Sequence, residues 1–492
     1  MLRCLTLSTE SDIEKIKAIH TYRQWIDAVE IRLDLCEQPT EQIVGAVLAA
    51  AGRLPKMPEK AQNDENALEV ILTYRRREDG GPQEIEESQR LKALISLLCR
   101  DISYVDIEYG TDVPDLEARA AELGVKVIRS LHDFSGVPEN LSDIILKIDA
   151  DGEIPKVACF PKSSKDVLKM IEAVADTEQI RRKIVLGMGA FGFFTRVAPR
   201  LCGSMLTYCS AGSRKGAPGQ VGPAEMEQVY RISIQNDATV YYGIIGNPVL
   251  HSQSPELHNR WFEEQEMNAV YLPFQVDDVG DFMKLTHRVD LRGFSITVPH
   301  KQNIIGYMDS IEGSVTTIGS CNTAVRTSAG WYGSNTDYAG FLSPLRKLNI
   351  LKSEARALVI GAGGVARTVV YALKQAGLDI TIVNRTDRRA EELAAEFEVR
   401  WRPLEKPWQA ESRFELVVQT SSAGMEPNSE IDPLPDFRFC GSEVVYELIY
   451  VPAVTCFLQR AIDAGCIALG GSEMLQAQGV LQFAQFSSAY NL

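Results

Sequence analysis

Short apolar runs alternate with longer amphipathic stretches through the first 220 residues. Eight of these runs, at 3–8, 28–34, 69–75, 104–109, 126–132, 156–160, 183–188 and 204–208, have the length and composition of strands. The stretches between them, such as 86–99 and 166–175, repeat apolar residues at three- and four-residue spacing and predict helices. Eight β–α units in this span predict a compact (β/α)₈ barrel, a little short of the usual ~250 residues. Residues 52–66 are polar and contain proline, and read as a loop. The alternation breaks at 221–238, where a helix-like segment, 224–232, runs into Gln235-Asn236-Asp237. Beyond this junction, 241–245, 269–274, 293–298 and 321–326 read as strands with helices between them. A third segment opens with an apolar strand at 357–360 that runs into a glycine-rich turn and a helix. The whole chain is therefore α/β.

Candidate chemistry sits on the predicted strands. Lys156 lies inside Pro155-Lys156-Val157-Ala158-Cys159-Phe160, an apolar setting foreign to a solvated charge. Burial and nearby cations would lower its pKa and make it an amine able to attack a carbonyl and form a Schiff base. His132, ending the fifth run, would move protons beside it. Glu30 and Arg32 lie in the second run, Arg75 ends the third and Glu108 lies in the fourth. Met188 ends the seventh and is read as packing against substrate. The C-terminal strand ends of a barrel converge on one site, so these residues are expected together.

The glycine-rich turn is Gly361-Ala362-Gly363-Gly364-Val365-Ala366, a G-x-G-x-x-A pattern between a strand and a helix. That context fits a dinucleotide pyrophosphate seated at a helix N-terminus. The next strand, 380–383, ends in Asn384-Arg385-Thr386, with Arg389 close behind. An NAD site would place Asp or Glu there, whereas arginine suits the 2′-phosphate of NADP.

Composition narrows the partners. The 492 residues carry a net charge of −15, which argues against nucleic acid. The ten cysteines form no C-x-x-C pair and the six histidines are dispersed, so no metal site is expected. Scattered cysteines in a long chain fit the cytoplasm. There is no signal-peptide pattern at the start and no apolar stretch long enough to span a membrane.

The first half resembles type I 3-dehydroquinate dehydratases. The matching stretches are Glu30-Ile31-Arg32-Leu33-Asp34, Thr73-Tyr74-Arg75, Ser130-Leu131-His132-Asp133-Phe134, Pro155-Lys156, Thr195-Arg196 and Ala217-Pro218-Gly219-Gln220. The second half resembles shikimate dehydrogenases through Gly246-Asn247-Pro248-Val249-Leu250-His251-Ser252-Gln253-Ser254-Pro255, Thr297-Val298-Pro299-His300-Lys301, Cys321-Asn322-Thr323 and Asn335-Thr336-Asp337. Glu447-Leu448-Ile449-Tyr450 and Gln476-Ala477-Gln478 extend the likeness. Gly216 stands where the dehydratases often have serine, and Thr195 where serine is more usual.

The resemblance implies a barrel dehydratase over 1–222, a shikimate-binding domain over 238–337 completed by 471–492, and a Rossmann NADP-binding domain over 338–470. It implies that Lys156 forms an imine with 3-dehydroquinate, that His132 carries the proton and that Glu30 orients His132. Arg196 would grip the substrate carboxylate, Arg32 and Arg75 the hydroxyls, and Gln220 would close over the substrate. In the second half Lys301 and Asp337 would flank the reacting oxygen. Ser252 and Ser254 would bind the shikimate carboxylate, with Thr297, Asn322, Tyr450 and Gln478 completing the pocket. The two serines would also suit helix capping. The expected partners are small molecules: 3-dehydroquinate, 3-dehydroshikimate and shikimate. Two other readings remain at this point. Fungal repressors of quinate metabolism resemble the same two domains but act as sensors, and the second half could prefer quinate.

Overall fold

The computed structural model describes all residues except 9–10, 37–38, 54–66, 83, 212–218, 406–412 and 491–492. Most of the predicted 52–66 loop and the motif residues Gly216, Ala217 and Pro218 lie outside the described residues. The chain divides into two compact units, Met1–Leu291 and Arg292–Leu492.

The first unit opens with eight parallel strands. They are β1 (Leu2–Thr6), β2 (Ala28–Arg32), β3 (Glu69–Thr73), β4 (Tyr104–Glu108), β5 (Lys126–Asp133), β6 (Ile154–Cys159), β7 (Ile184–Gly187) and β8 (Leu206–Ser210). Their order is β7-β6-β5-β4-β3-β2-β1-β8, and a parallel bridge between Lys183 and Ser204 brings the two edges together into a nearly closed barrel. Because side chains alternate across a strand, the inward positions form layers. The lowest layer is apolar: Cys4, Ala28, Ile71, Tyr104, Ile128, Ile154, Ile184 and Leu206 cluster as a buried plug. Two residues further along, the sequence places Thr6, Glu30, Thr73, Asp106, Ser130, Lys156, Leu186 and Tyr208. Two more bring Arg32, Arg75, Glu108 and His132. The barrel is thus sealed at one end by hydrocarbon and charged toward the other.

After the barrel, the helix expected over 224–232 spans only Pro223–Gln228, and Arg231 adopts φ 50° just beyond it. Strands β9 (Val240–Gly246) and β10 (Ala269–Gln275) pair in parallel around the helix Ser254–Glu264. The helix Val279–Arg288 packs on the barrel helix Ser164–Asp176. These elements cluster with the barrel, so the compact division falls inside the 238–337 segment that the sequence reading treats as one domain.

In the second unit, β11 (Leu291–Ile296) and β14 (Gly330–Ser334) both run antiparallel to β13 (Thr323–Thr327), and β12 (Ser310–Ile311) lies parallel to β14. A second sheet comes next in the chain: β15 (Arg356–Ile360), β16 (Asp379–Val383), β17 (Arg400–Trp401), β18 (Leu416–Gln419), β19 (Val444–Glu447) and β20 (Ile467–Leu469). All are parallel, in the order β17-β16-β15-β18-β19-β20. This is the doubly wound dinucleotide-binding order, which opens a crevice where the winding reverses between β15 and β18. Both faces are covered, by one core around Ala357, Val359 and Val418 and another around Leu358, Ile360 and Val417. The last helix, Gly471–Ala489, packs on the helix Asp337–Lys347 and on β13. Gly340 permits the close crossing, since a Cβ there would lie 2.7 Å from the Gln478 backbone nitrogen.

Candidate active sites

The middle layer of the barrel holds a hydrogen-bonded charge network. Lys156 is 4% exposed, and its Nζ donates to Asp106 Oδ2 at 2.7 Å and lies 4.0 Å from Glu30 Oε1. The ammonium sits 4.2 Å from the centroid of the Tyr208 ring, a cation–π contact. Asp106 Oδ1 accepts from Ser130 Oγ at 2.6 Å and pairs with Arg75 at 2.9 Å. Burial alone would raise the Asp106 carboxyl, but Arg75 and Lys156 overrule it and hold it far below the usual range. Arg75 also donates to Ser130 Oγ at 2.8 Å and pairs with Glu108 at 3.3 Å. Arg32 forms a two-pronged pair with Asp34 at 2.9 and 2.6 Å.

His132 is partly exposed at the end of β5, and its buried Nδ1 makes no hydrogen bond among the described residues. Desolvation, then Arg75 and Lys156, push its pKa well below the ordinary histidine value, so it is neutral at pH 7. The expected contact from Glu30 is not made. Glu30 instead accepts from Thr6 at 2.9 Å and Thr73 at 3.0 Å, and no hydrogen bond joins it to His132 among the described residues.

Arg196 lies on the short helix Phe194–Val197, only 2% exposed. Its Nε is buried without a hydrogen-bond partner among the described residues, and burial lowers the guanidinium to about 10, still charged at neutral pH. A buried cation without an anion is costly, and a carboxylate brought by a ligand would relieve it. Gly219 (φ 81°) passes over this group: a Cβ there would lie 3.6 Å from Arg196 Nε. Gln220 is buried beside it in sequence and Met188 precedes the turn after β7.

A second cluster lies wholly in the second unit. Lys301 Nζ donates to Asp337 Oδ2 at 2.7 Å, and Asn322 Nδ2 donates to Asp337 Oδ1 at 2.7 Å. Asn322 Oδ1 accepts from the Thr336 backbone and from Thr323 Oγ1, both at 2.8 Å. The terminal helix closes this cluster. Gln478 Oε1 lies 3.4 Å from Asn322 Nδ2, and Gln482 Nε2 donates to the Asn322 carbonyl at 3.1 Å. Thr297 comes after β11 in a turn closed by the His300 amide at 2.9 Å. Tyr450 is exposed. Ser252 and Ser254 lie in the first unit, where Ser252 Oγ accepts from the amide of Ser254, the first residue of its helix, at 3.2 Å.

The nucleotide turn keeps its predicted form. Gly361 has φ 115°, and a Cβ there would meet Thr420 Oγ1 at 2.5 Å. A Cβ on Gly363 or Gly364 would meet nothing within 4 Å, leaving open space above the N-terminus of the helix Gly364–Gln375. Ala362 and Val365 line the turn in sequence, while Ala366 is buried against the sheet. Asn384 caps its own turn by donating to the Thr386 carbonyl at 2.9 Å. Arg385 and Arg389 are exposed, and neither has an ion-pair partner among the described residues. A pyrophosphate with a 2′-phosphorylated ribose fits this cradle and its two available cations.

Asp106, Ser130 and Tyr208 were not singled out as site residues by the sequence. Their signal is the two-residue step back from Glu108 and His132 and from the end of β8 to the Lys156 layer.

A lysine-centred barrel and a dinucleotide-dependent oxidoreductase thus share one chain. Three family models match it in series: type I 3-dehydroquinase over 3–237, the shikimate dehydrogenase substrate binding domain over 244–324, and shikimate/quinate 5-dehydrogenase over 346–427. The chain is 30% identical to the chloroplastic bifunctional 3-dehydroquinate dehydratase/shikimate dehydrogenase of Arabidopsis thaliana, covering 94% of this chain and 77% of that one. It is 36% identical to the NADP⁺ shikimate dehydrogenase of Syntrophobacter fumaroxidans over 50% of this chain and 86% of that one. A crystal structure of a shikimate dehydrogenase with NADP⁺ superposes with a TM-score of 0.48, at 30% identity, over 51% of this chain and 91% of that one. The chain belongs to the family of bifunctional 3-dehydroquinate dehydratase/shikimate dehydrogenases, a lyase and an NADP-dependent oxidoreductase of the shikimate pathway. Among the described residues, no helix is long and apolar enough to cross a membrane.

Proposed function

We propose that Lys156 is the imine-forming nucleophile and His132 the proton carrier of the dehydratase. The observation that carries this reading is the 4%-exposed Lys156 amine, inside a charged barrel layer and next to a histidine held neutral. Lys156 Nζ attacks the C3 ketone of 3-dehydroquinate and water leaves. The protonated imine draws electrons from C2, where His132 removes a proton. The enamine expels the C1 hydroxyl, which takes the proton back from His132 and departs as water, and a second water then hydrolyses the remaining imine, releasing 3-dehydroshikimate and the free Lys156 amine. Arg196 binds the substrate carboxylate, Arg32 and Arg75 shape the hydroxyl side, Glu30 belongs to the site through its approach to Lys156, and Gln220 closes over the substrate.

In the dehydrogenase, Lys301 and Asp337 hold the proton that the C3 oxygen of 3-dehydroshikimate receives. Asn322, Thr297, Tyr450 and Gln478 orient the ring, and Ser252 and Ser254 are assigned to its carboxylate on their motif. Bound NADPH supplies the hydride. Gly361, Gly363 and Gly364 would hold its pyrophosphate, and Arg385 and Arg389 its 2′-phosphate. We take 1–222, 238–337 with 471–492, and 338–470 as the functional domains, shikimate over quinate as the product, and the cytoplasm as the compartment. All ten cysteines are free, which suits a reducing environment.

The test supplies the intact chain with 3-dehydroquinate and NADPH, follows NADPH loss, then traps with borohydride and maps the adduct. NADPH loss with the adduct on Lys156 is expected. Turnover of 3-dehydroshikimate alone sinks the dehydratase assignment, and binding without turnover of either favours the sensor reading. Comparing rates with shikimate and with quinate decides the preference.

A further inference from the structure

The helix carrying Arg196 is seated on the dehydrogenase half. Inside the barrel it is fixed at its backbone: Thr195 Oγ1 accepts from the Gly187 amide at 2.8 Å and donates to the Gly192 carbonyl at 2.7 Å, and Thr207 Oγ1 donates to the Arg196 carbonyl at 2.8 Å. Its outer face is held by Phe194, which is 1% exposed and packs against Phe274 of β10, ring centroids 4.9 Å apart. Phe274 is backed by Phe282 at 5.7 Å. Gly243 of β9 leaves room for the ring, since a Cβ there would come within 2.6 Å of it. The seam is closely packed: the cavity beside it, lined in part by Val167, Phe194, Phe274 and Phe282, measures about 10 Å³, near the lower limit for one water. Beside it the chain locks in register. The Ser164 amide donates to Asp277 Oδ1 at 2.8 Å, and the Asp277 amide donates to Ser164 Oγ at 3.2 Å.

We propose that Phe274, supplied by the dehydrogenase half, is a positioning residue of the dehydratase: through Phe194 it sets where the Arg196 guanidinium stands. The inference rests on the assignment of Arg196 to the substrate carboxylate. Among the described residues Arg196 Nε has no hydrogen-bond partner, so its aim depends on how its one-turn helix is held and packed. A cation placed by packing loses its geometry when the packing partner is removed, and a shift of about 1 Å in a positioning group costs up to about 100-fold.

The test compares Phe274→Ala, Phe274→Leu, Arg196→Ala and the Phe274→Ala/Arg196→Ala double variant in the full chain. Dehydratase KM and kcat are measured with 3-dehydroquinate, and dehydrogenase kcat/KM with shikimate and NADP⁺ on the same preparations. Arg196→Ala should raise dehydratase KM by about 10–100-fold through the lost charged hydrogen bonds. Phe274→Ala should raise it about 10-fold with little change in kcat, and Phe274→Leu, which keeps most of the volume, should recover most of that loss. The dehydrogenase should be unchanged, and Phe274→Ala should add nothing in the Arg196→Ala background. An unmoved dehydratase KM overturns the inference. So does an effect that persists undiminished without Arg196, or a proportional loss of both activities. If Arg196→Ala itself leaves KM unchanged, the carboxylate assignment falls first and the inference with it. If only Phe274→Ala is silent, the inference falls alone.

Discussion

Each candidate active site is built on a lysine–aspartate pair with the same separation, 2.7 Å for Lys156–Asp106 and 2.7 Å for Lys301–Asp337. Their surroundings differ. The barrel pair has side-chain exposures of 5% and 0%, whereas the other has 28% and 13%. A buried pair must satisfy every remaining charge and lone pair within the protein, and around Asp106 that task falls to Arg75 and Ser130. A half-exposed pair can leave part of it to water. The same contact is therefore embedded in a protein network in one half and shared with solvent in the other.

The largest expected effect separates the two lysines by function. Lys156→Ala should lower dehydratase kcat by about 10⁴-fold or more, abolish borohydride trapping and spare shikimate oxidation; equal loss of both activities would mean the halves are not chemically separate. Next, Asp106→Asn leaves Arg75 and Lys156 facing a neutral amide and should destabilise the chain by about 3–5 kcal/mol, read from urea denaturation monitored in the first unit.

A third buried acid sharpens the contrast. Glu447, at the end of β19, is 1% exposed, with one oxygen accepting from Thr455 and the other without a hydrogen-bond partner among the described residues. Burial, opposed by the Thr455 hydrogen bond and aided by the nearby Asp432 charge, raises it from 4.5 to about 7. Its folded-state pKa lies above its unfolded one, so the folded state binds the extra proton between these values and wild-type stability falls as pH rises from about 4.5 through 7. Glu447→Gln should then be more stable than wild type by about 3 kcal/mol above pH 7 and indistinguishable from it near pH 4; a pH-independent difference would show that Glu447 is not the titrating group. The smallest effect is on Asp337→Asn, which should change stability by less than about 1 kcal/mol while impairing shikimate oxidation. A loss as large as that of Asp106→Asn would erase the distinction between the pairs.

The barrel was legible because each strand is a compact apolar run and its reactive residues stand at successive run ends. Lys156 and His132 were visible as polar residues in apolar company. Asp106 was hidden by the same alternation: one acid between Val105 and Ile107 looks like any inward or outward position until strand register brings it to Lys156. Glu30 shows the converse limit. Its strand position was right for the site, but its hydrogen bonds go to Thr6 and Thr73 on the adjacent strands, and sequence alone cannot rank those hydroxyls against a histidine on β5. Arg385 was picked out because a β–turn–α frame puts the ribose-binding position at the end of its second strand. The seam at Phe274 left no local trace, since one phenylalanine in a strand of apolar residues has no distinguishing neighbours.

The helix Gly471–Ala489, whose Gln478 and Gln482 close the Asn322 cluster, is translated late. Chains fold as they emerge, N-terminal regions first. All eight barrel strands and Phe274 leave the ribosome before that helix, so the lyase can mature on a nascent chain whose reductase still lacks its final clasp. The order in which the two activities appear in a newborn molecule then matches the order in which they act on substrate.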